Sequence, residues 1–100
     1  MAEYAIFLVT PKTDTWIPDY LKAVGPLVQK HGGKILARKT SFERLEGTVP
    51  NPGLIVIQEW PSKSAAEAFY RDPAYAPHLK ARLAGAMSDM FFVEGKDDFA

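Results

Sequence analysis

Apolar positions along the chain fall into three short runs and two helical stripes. Tyr4 to Thr10 (YAIFLVT) is rich in β-branched and aromatic residues and stops at Pro11, which predicts a strand. Asp14 is placed to cap a following helix, with Pro18 tolerated in its first turn. Ile17, Leu21, Val24 and Val28 recur at spacings of four and three, forming one apolar helical face. Pro26 interrupts that face and predicts a kink or a local loosening; His31-Gly32-Gly33 then ends the helix. Lys34 to Arg38 and Phe42 to Gly47 read as strand, or as one long strand bent at Lys39 to Ser41. The turn signal Val49 to Gly53 (VPNPG) precedes another strand, Leu54 to Trp60, so a hairpin is expected.

Pro61 stops that strand, and Ser62 or Ser64 caps a second helix; Ser64 with Glu67 would make a capping box. Ala65, Ala66, Ala68, Phe69 and Tyr70 fill it, and Asp72-Pro73 ends it. Pro73 opens a further helical piece in which Leu79, Leu83 and Ala86 continue the period and Gly85 weakens the end. Met90 to Val93 (MFFV) is the last strand, followed by Glu94-Gly95 and a charged tail at 96–100.

The resulting order, β-α-β-β-α-β, is that of an α+β ferredoxin-like sandwich, with two helices on one face of a four-stranded antiparallel sheet. Right-handed crossovers put the first strand between the third and fourth. A half-solvated sheet alternates apolar and polar residues, but these strands do not. Tyr4 to Val9, Leu54 to Ile57 and Met90 to Val93 are apolar at both parities. The second sheet face therefore also needs cover, and a sheet-on-sheet homodimer supplies it.

Composition narrows the rest. One hundred residues suit a single domain, spanning 1–100 with its core at about 4–95, because two halves would each be too small to hold a core. Twelve basic and twelve acidic side chains cancel, so bulk electrostatics favour neither nucleic acid nor an anionic membrane as partner. The longest apolar run, Tyr4 to Val9, is too short to span a bilayer. Neither a preceding basic stretch nor a following small-residue cleavage site marks a signal peptide, and a cytoplasmic setting is the default expectation. The absence of cysteine excludes disulfides, thiolate metal sites and a thiol nucleophile. The two histidines, His31 and His78, stand in no metal-ligand spacing. No phosphate-binding glycine loop or GxSxG elbow occurs, so neither a cofactor nor a metal is expected.

Five residues carry candidate chemistry. His31, at a helix C-terminus, reads either as a residue interacting with the helix dipole or as a general acid or base. Glu59 interrupts an apolar strand, so it either pairs structurally, with Arg38 or Lys34 or across the dimer interface, or faces a polar pocket, where it is a candidate catalytic base alongside His31. Arg38 is then an ion-pair partner or an anchor for an anionic substrate. Topology brings the end of the first helix, the end of the third strand and the start of the first to one rim, placing Tyr4 with His31 and Glu59. Tyr70 reads as packing or as a hydrogen-bond donor into a pocket. His78 and Arg82, four apart on one helix face, suit an anion site or an ordinary solvated face, and the solvated face is the expectation. Trp16 and Trp60 flank strand ends and read as packing or dimer-rim residues.

The strings PLVQKHGGKILAR, ERLEG, LIVIQEWPS, AAEAFYRDPAY and FVEG, in this order, resemble the domain of unknown function 1330 family from about Tyr4 to Gly95. The resemblance implies the dimeric α+β barrel superfamily, in which two four-stranded sheets face each other. Superfamily members include cofactor-free oxygenases of small aromatics, lactone isomerases, haem-dependent proteins and ligand-sensing modules. A haem-binding arrangement would have to draw its histidine from His31 or His78. The opening DTWIPDY departs from the family's usual Asp-Pro start with an additional tyrosine, so Trp16 or Ile17 would change the shape of any pocket there. The expected function is a homodimeric small-molecule-binding domain, acting as a cofactor-free oxygenase or isomerase on a small aromatic, lactone or hydrophobic acid. The alternative is a non-catalytic sensing, structural or stress-related dimer, with a filled interior and Glu59 paired to Arg38.

Overall fold

The β-rich runs and amphipathic stripes become seven elements in the computed structural model, which describes residues 2–100. They are β1 (Glu3–Pro11), α1 (Ile17–Lys30), β2 (Lys34–Lys39), β3 (Leu54–Trp60), α2 (Lys63–Tyr70), α3 (Ala76–Gly85) and β4 (Ala86–Glu94). The sheet runs β2-β3-β1-β4, all antiparallel, with β1 between β3 and β4 as the crossover rule requires. The fold is thus α+β and ferredoxin-like, with a third helix added between α2 and β4.

Strand alternation assigns the faces. Ala5, Phe7 and Val9 of β1 and Val56, Gln58 and Trp60 of β3 are buried under the helices. The core they found is aromatic: the Trp60 ring lies 5.1 Å from that of Phe69, which lies 4.5 Å from Tyr75. The other face carries Ile6, Leu8, Ile55, Ile57, Phe91 and Val93, half-buried or exposed, with Phe91 54% exposed. An apolar face without a covering element in the chain is what the unalternating strands predict.

The ends of α1 follow from specific bonds. Its C-terminus is a Schellman cap: Gly33 N–H donates to Val28 C=O at 2.9 Å and Gly32 N–H to Gln29 C=O at 3.0 Å. Gly32 takes φ +83°, which a side chain would resist, and a Cβ on Gly33 would stand 2.6 Å from the Trp60 ring. Asp14 does not cap the helix with its side chain. The N-cap is Trp16, whose indole N–H instead ties the start of α1 to Thr13 C=O (2.9 Å) and Gly85 C=O (3.1 Å). Pro26 lies exposed, and α1 runs through it unbroken from Ile17 to Lys30. Ser62, not Ser64, caps α2 by accepting from Ala65 N–H at 3.1 Å.

Two expectations fail for identifiable reasons. Phe42 to Gly47 is not a strand; β2 and β3 are joined by an exposed loop over 40–53. Continuing the register beyond Lys39↔Ile55 would set Phe42 opposite Pro52 and Arg44 opposite Pro50, and proline has no N–H to donate. Arg44 instead closes the loop by donating to Val49 C=O and Asn51 Oδ1. Arg82 is not on a solvated face: it is only 2% exposed, whereas Leu83 is 52% exposed. The buried stripe of α3 is Tyr75, Leu79, Arg82 and Ala86, spaced four, three and four, so arginine occupies a core position.

Candidate binding site

Between the sheet and the helices α1 and α3 lies a cavity of about 60 Å³. Phe7, Val9 and Val56 of the sheet, and Trp16, Ile17 and Val24 of the α1 region, give it a mostly apolar wall. Leu21 and Arg38, both exposed, stand at its solvent side. Its polar groups are Tyr20, Gln58 and Arg82. Gln58 is already engaged, accepting from the Trp60 indole N–H at 3.1 Å.

Arg82 is the unusual member. Its guanidinium lies 5.3 Å from the Phe7 ring centroid and 5.9 Å from that of Tyr20. It donates to Ser88 Oγ and, at 3.4 Å, to the Tyr75 hydroxyl, while its Nε–H is buried with no acceptor. Among the described residues no ion pair involves Arg82. Enclosing an unpaired cation costs on the order of several kcal/mol, which the π-faces of two rings offset only in part. Burial by itself lowers the Arg82 pKa, but the facing Tyr20 and Tyr75 oxygens outweigh it and raise the net value, so the group stays charged. Tyr20 and Tyr75 share a hydrogen bond of 2.7 Å. Burial first, then the Tyr75 oxygen, pushes the Tyr20 phenol well above its ordinary 10, which keeps it a protonated donor.

A second polar cluster pins α1 to the α2–α3 turn. Asp72, 8% exposed, accepts from His31 Nε2–H at 2.8 Å and from Lys30 Nζ at 3.0 Å, and its other oxygen accepts from Ala74 N–H at 2.9 Å. The His31 bond first, then the Ala74 and Lys30 bonds, hold the Asp72 carboxyl well below the usual carboxylate range. The His31 ring meets Phe69 edge-on at 6.4 Å.

The structure separates most of the residues singled out from the sequence. Tyr4 and Glu59 are cross-strand neighbours on the open face of the sheet, with Lys34 opposite Glu59 on the other side. His31 reaches the rim as expected but turns to the helix side and bonds Asp72, so the sheet divides it from Tyr4 and Glu59. Arg38 pairs with Val56 on the helix side, the face opposite Glu59, and borders the cavity. Tyr70 lies outside the cavity, in a shallow depression with Met90 and Phe92. Sequence reasoning missed Tyr20 and Asp72, and for Arg82 it preferred a solvated face to an anion site. For Arg82 the signal was its spacing from Leu79 and Ala86, which places it on the apolar stripe. Asp72 gave none, because a carboxylate before proline reads first as a helix stop.

Among the described residues no three His, Asp or Glu side chains gather as a metal site, and no helix is long and apolar enough to cross a membrane.

This architecture places the protein among ferredoxin-like α+β proteins. The chain belongs to the domain of unknown function 1330 family, DUF1330, whose pattern it matches over residues 2–96. It is similar to a protein of unknown function from Rhodopseudomonas palustris, at 22% identity and TM-score 0.80, covering 96% of this chain and 83% of that one. A dimeric ferredoxin-like protein of unknown function from Jannaschia sp. CCS1 matches at 13% identity and TM-score 0.68, covering 94% and 99%. SnoaB, a cofactor-independent oxygenase from Streptomyces nogalater, matches at 14% identity and TM-score 0.61, covering 96% and 92%. At these identities the likeness is one of fold. Among curated proteins none matches the sequence.

Proposed function

We propose that this protein is a homodimeric small-molecule-binding domain with one pocket per protomer between the sheet and helices α1 and α3. The observation that carries the reading is an apolar cavity whose wall includes Tyr20 and the buried Arg82, a cation without an ion pair among the described residues. A merely structural interior would be filled, with Glu59 paired to Arg38; these two instead lie on opposite faces of the sheet. The apolar open face is the dimer surface, and the dimeric Jannaschia neighbour supports that use of the fold.

The pocket lining includes no His, Asp or Glu. That favours binding or sensing over turnover, since proton abstraction needs a base within hydrogen-bond reach. An oxygenase or isomerase reaction, the activity type that the SnoaB likeness suggests, would have to draw its proton acceptor from the ligand itself. His31 and Glu59, the two alternative candidates for a catalytic base, then serve the fold: His31 through Asp72, and Glu59 at the proposed dimer face beside Tyr4.

The test is a thermal-shift screen with small aromatic acids, phenols, quinones and lactones on wild type, His31→Ala, Glu59→Gln and a pocket-filling Val24→Trp variant. Ligands that raise the wild-type melting temperature, and that of Glu59→Gln, but not that of Val24→Trp support the pocket. No stabilisation by any class would overturn it.

A further inference from the structure

We propose that the pocket selects small aromatic monocarboxylates, held acid-end inward by the Arg82 guanidinium and the Tyr20 hydroxyl; this rests on the pocket assignment above.

The argument begins from charge. Among the described residues three charged ones are buried, Glu3, Asp72 and Arg82; Asp72 pairs with His31 and Lys30, and of the other two only Arg82 holds a sealed side-chain atom with no hydrogen-bond partner. Arg82 is more deeply buried than Asp72, yet no carboxylate pairs with it. Its Nε–H is a buried donor left without an acceptor, a rare condition in native proteins that marks a group awaiting a partner. A homodimer partner on the open face cannot supply the missing anion, because the sheet lies between that face and Arg82.

The cavity supplies the rest of the recognition. Phe7, Trp16 and Tyr20 line it, so a ring can lie among aromatic faces while its acid meets the guanidinium. The hydroxyl chain points the same way. Arg82 donates to the Tyr75 oxygen, so the Tyr75 O–H can donate to the Tyr20 oxygen, leaving the Tyr20 O–H free to donate to a ligand. The ligand then meets a guanidinium and a hydroxyl donor, an arrangement that suits a carboxylate over a neutral amide, which carries no charge to pair with Arg82. The modest volume favours a single ring over fused systems.

The experiment is an NMR titration of the full chain with benzoate and with its neutral isostere benzamide, following the Arg82 Nε–H resonance and the amides of Phe7, Tyr20 and Val56. Wild type is expected to bind benzoate about tenfold or more tightly than benzamide, with the Arg82 Nε–H signal moving only for benzoate. Arg82→Met should abolish that preference by weakening benzoate binding far more than benzamide binding, and Tyr20→Phe should reduce it. Arg38→Met, at the cavity mouth, should leave it intact. Equal affinity for the two ligands, both moving the cavity amides, would overturn the carboxylate proposal while the pocket stood. So would a preference that survives Arg82→Met or disappears in Arg38→Met. Neither ligand moving the cavity amides would overturn the pocket and the proposal together. Should Arg82→Met not fold, the wild-type comparison and Arg82→Lys, in which the preference must weaken because the planar donor fork is lost, decide the matter.

Discussion

The guanidinium of Arg82 lies 5.3 Å from the centroid of the Phe7 ring, so a full positive charge rests on the aromatic centre of the core. Ferredoxin-like packing calls for an apolar residue at that point of α3. A cation there, without an anion, is the feature of this chain that packing alone does not require.

Its energetic consequence can be measured without any ligand. Arg82→Met keeps the side-chain length and removes the unpaired charge, so urea denaturation should place it between wild-type stability and about 2 kcal/mol above it. A clear loss of stability would show that the Phe7, Tyr20 and Tyr75 contacts fully repay the cost of burial. Arg82→Ala, which also removes the stem packed beside Phe7, should be less stable than Arg82→Met.

Gly85 is held small by Trp16. A Cβ there would stand 2.4 Å from the indole Cδ1, and the Gly85 carbonyl accepts from the indole as well as from Lys12 N–H. Gly85→Ala should therefore cost about 1–3 kcal/mol despite alanine's higher helix propensity. In Trp16→Ala the same substitution should be neutral or stabilising, and a double-mutant cycle over the four proteins checks this coupling.

Asp72 makes stability depend on acid pH in a definite direction. Its carboxyl is held below its ordinary value of 3.8, so its contribution is complete above that pH and is lost as pH falls below it towards the folded value. Thermal midpoints of wild type and Asp72→Asn should differ most at neutral pH and converge as the solution is acidified below 3.8. Parallel curves down to the lowest accessible pH would show that the His31 and Lys30 bonds contribute nothing to folding.

The open, apolar face of the sheet is the surface we propose for the dimer. Ile57 lies at its centre, opposite Ile6 on the neighbouring strand, which in turn pairs with Phe91. Ile57→Glu should convert a dimer into an 11.1 kDa monomer by size-exclusion chromatography with light scattering. The far-ultraviolet circular dichroism should be preserved, because the helix-side core is untouched. A dimer that persists in Ile57→Glu would move the interface elsewhere.

Much of this architecture was legible along the chain. Runs such as YAIFLVT and LIVIQEW specify strands through local β-preference, and their missing alternation already announces an apolar second face. The spacing of Ile17, Leu21, Val24 and Val28 specifies α1, and Gly32-Gly33 its end, because capping and amphipathicity act over a few neighbouring residues. Such short-range rules carry far enough to give the order of elements and, with crossover handedness, the order of strands.

Contacts between distant segments were not legible in the same way. Asp72 meets His31 across 41 positions and Tyr20 meets Tyr75 across 55, pairings that arise only when α1 is laid beside the α2–α3 turn. Tyr4 and Glu59 did come together as neighbours, but strand parity sent them to the face away from His31. Phe42 to Gly47 has strand-like composition, yet strand formation needs a partner with free N–H groups, and the opposing prolines withhold them. Arg82 shows the difference most clearly. Its residue type argues for solvent and its helical position for the core, and the geometry of α3 against β1 resolved that conflict in favour of position, leaving a buried charge in the wall of a cavity.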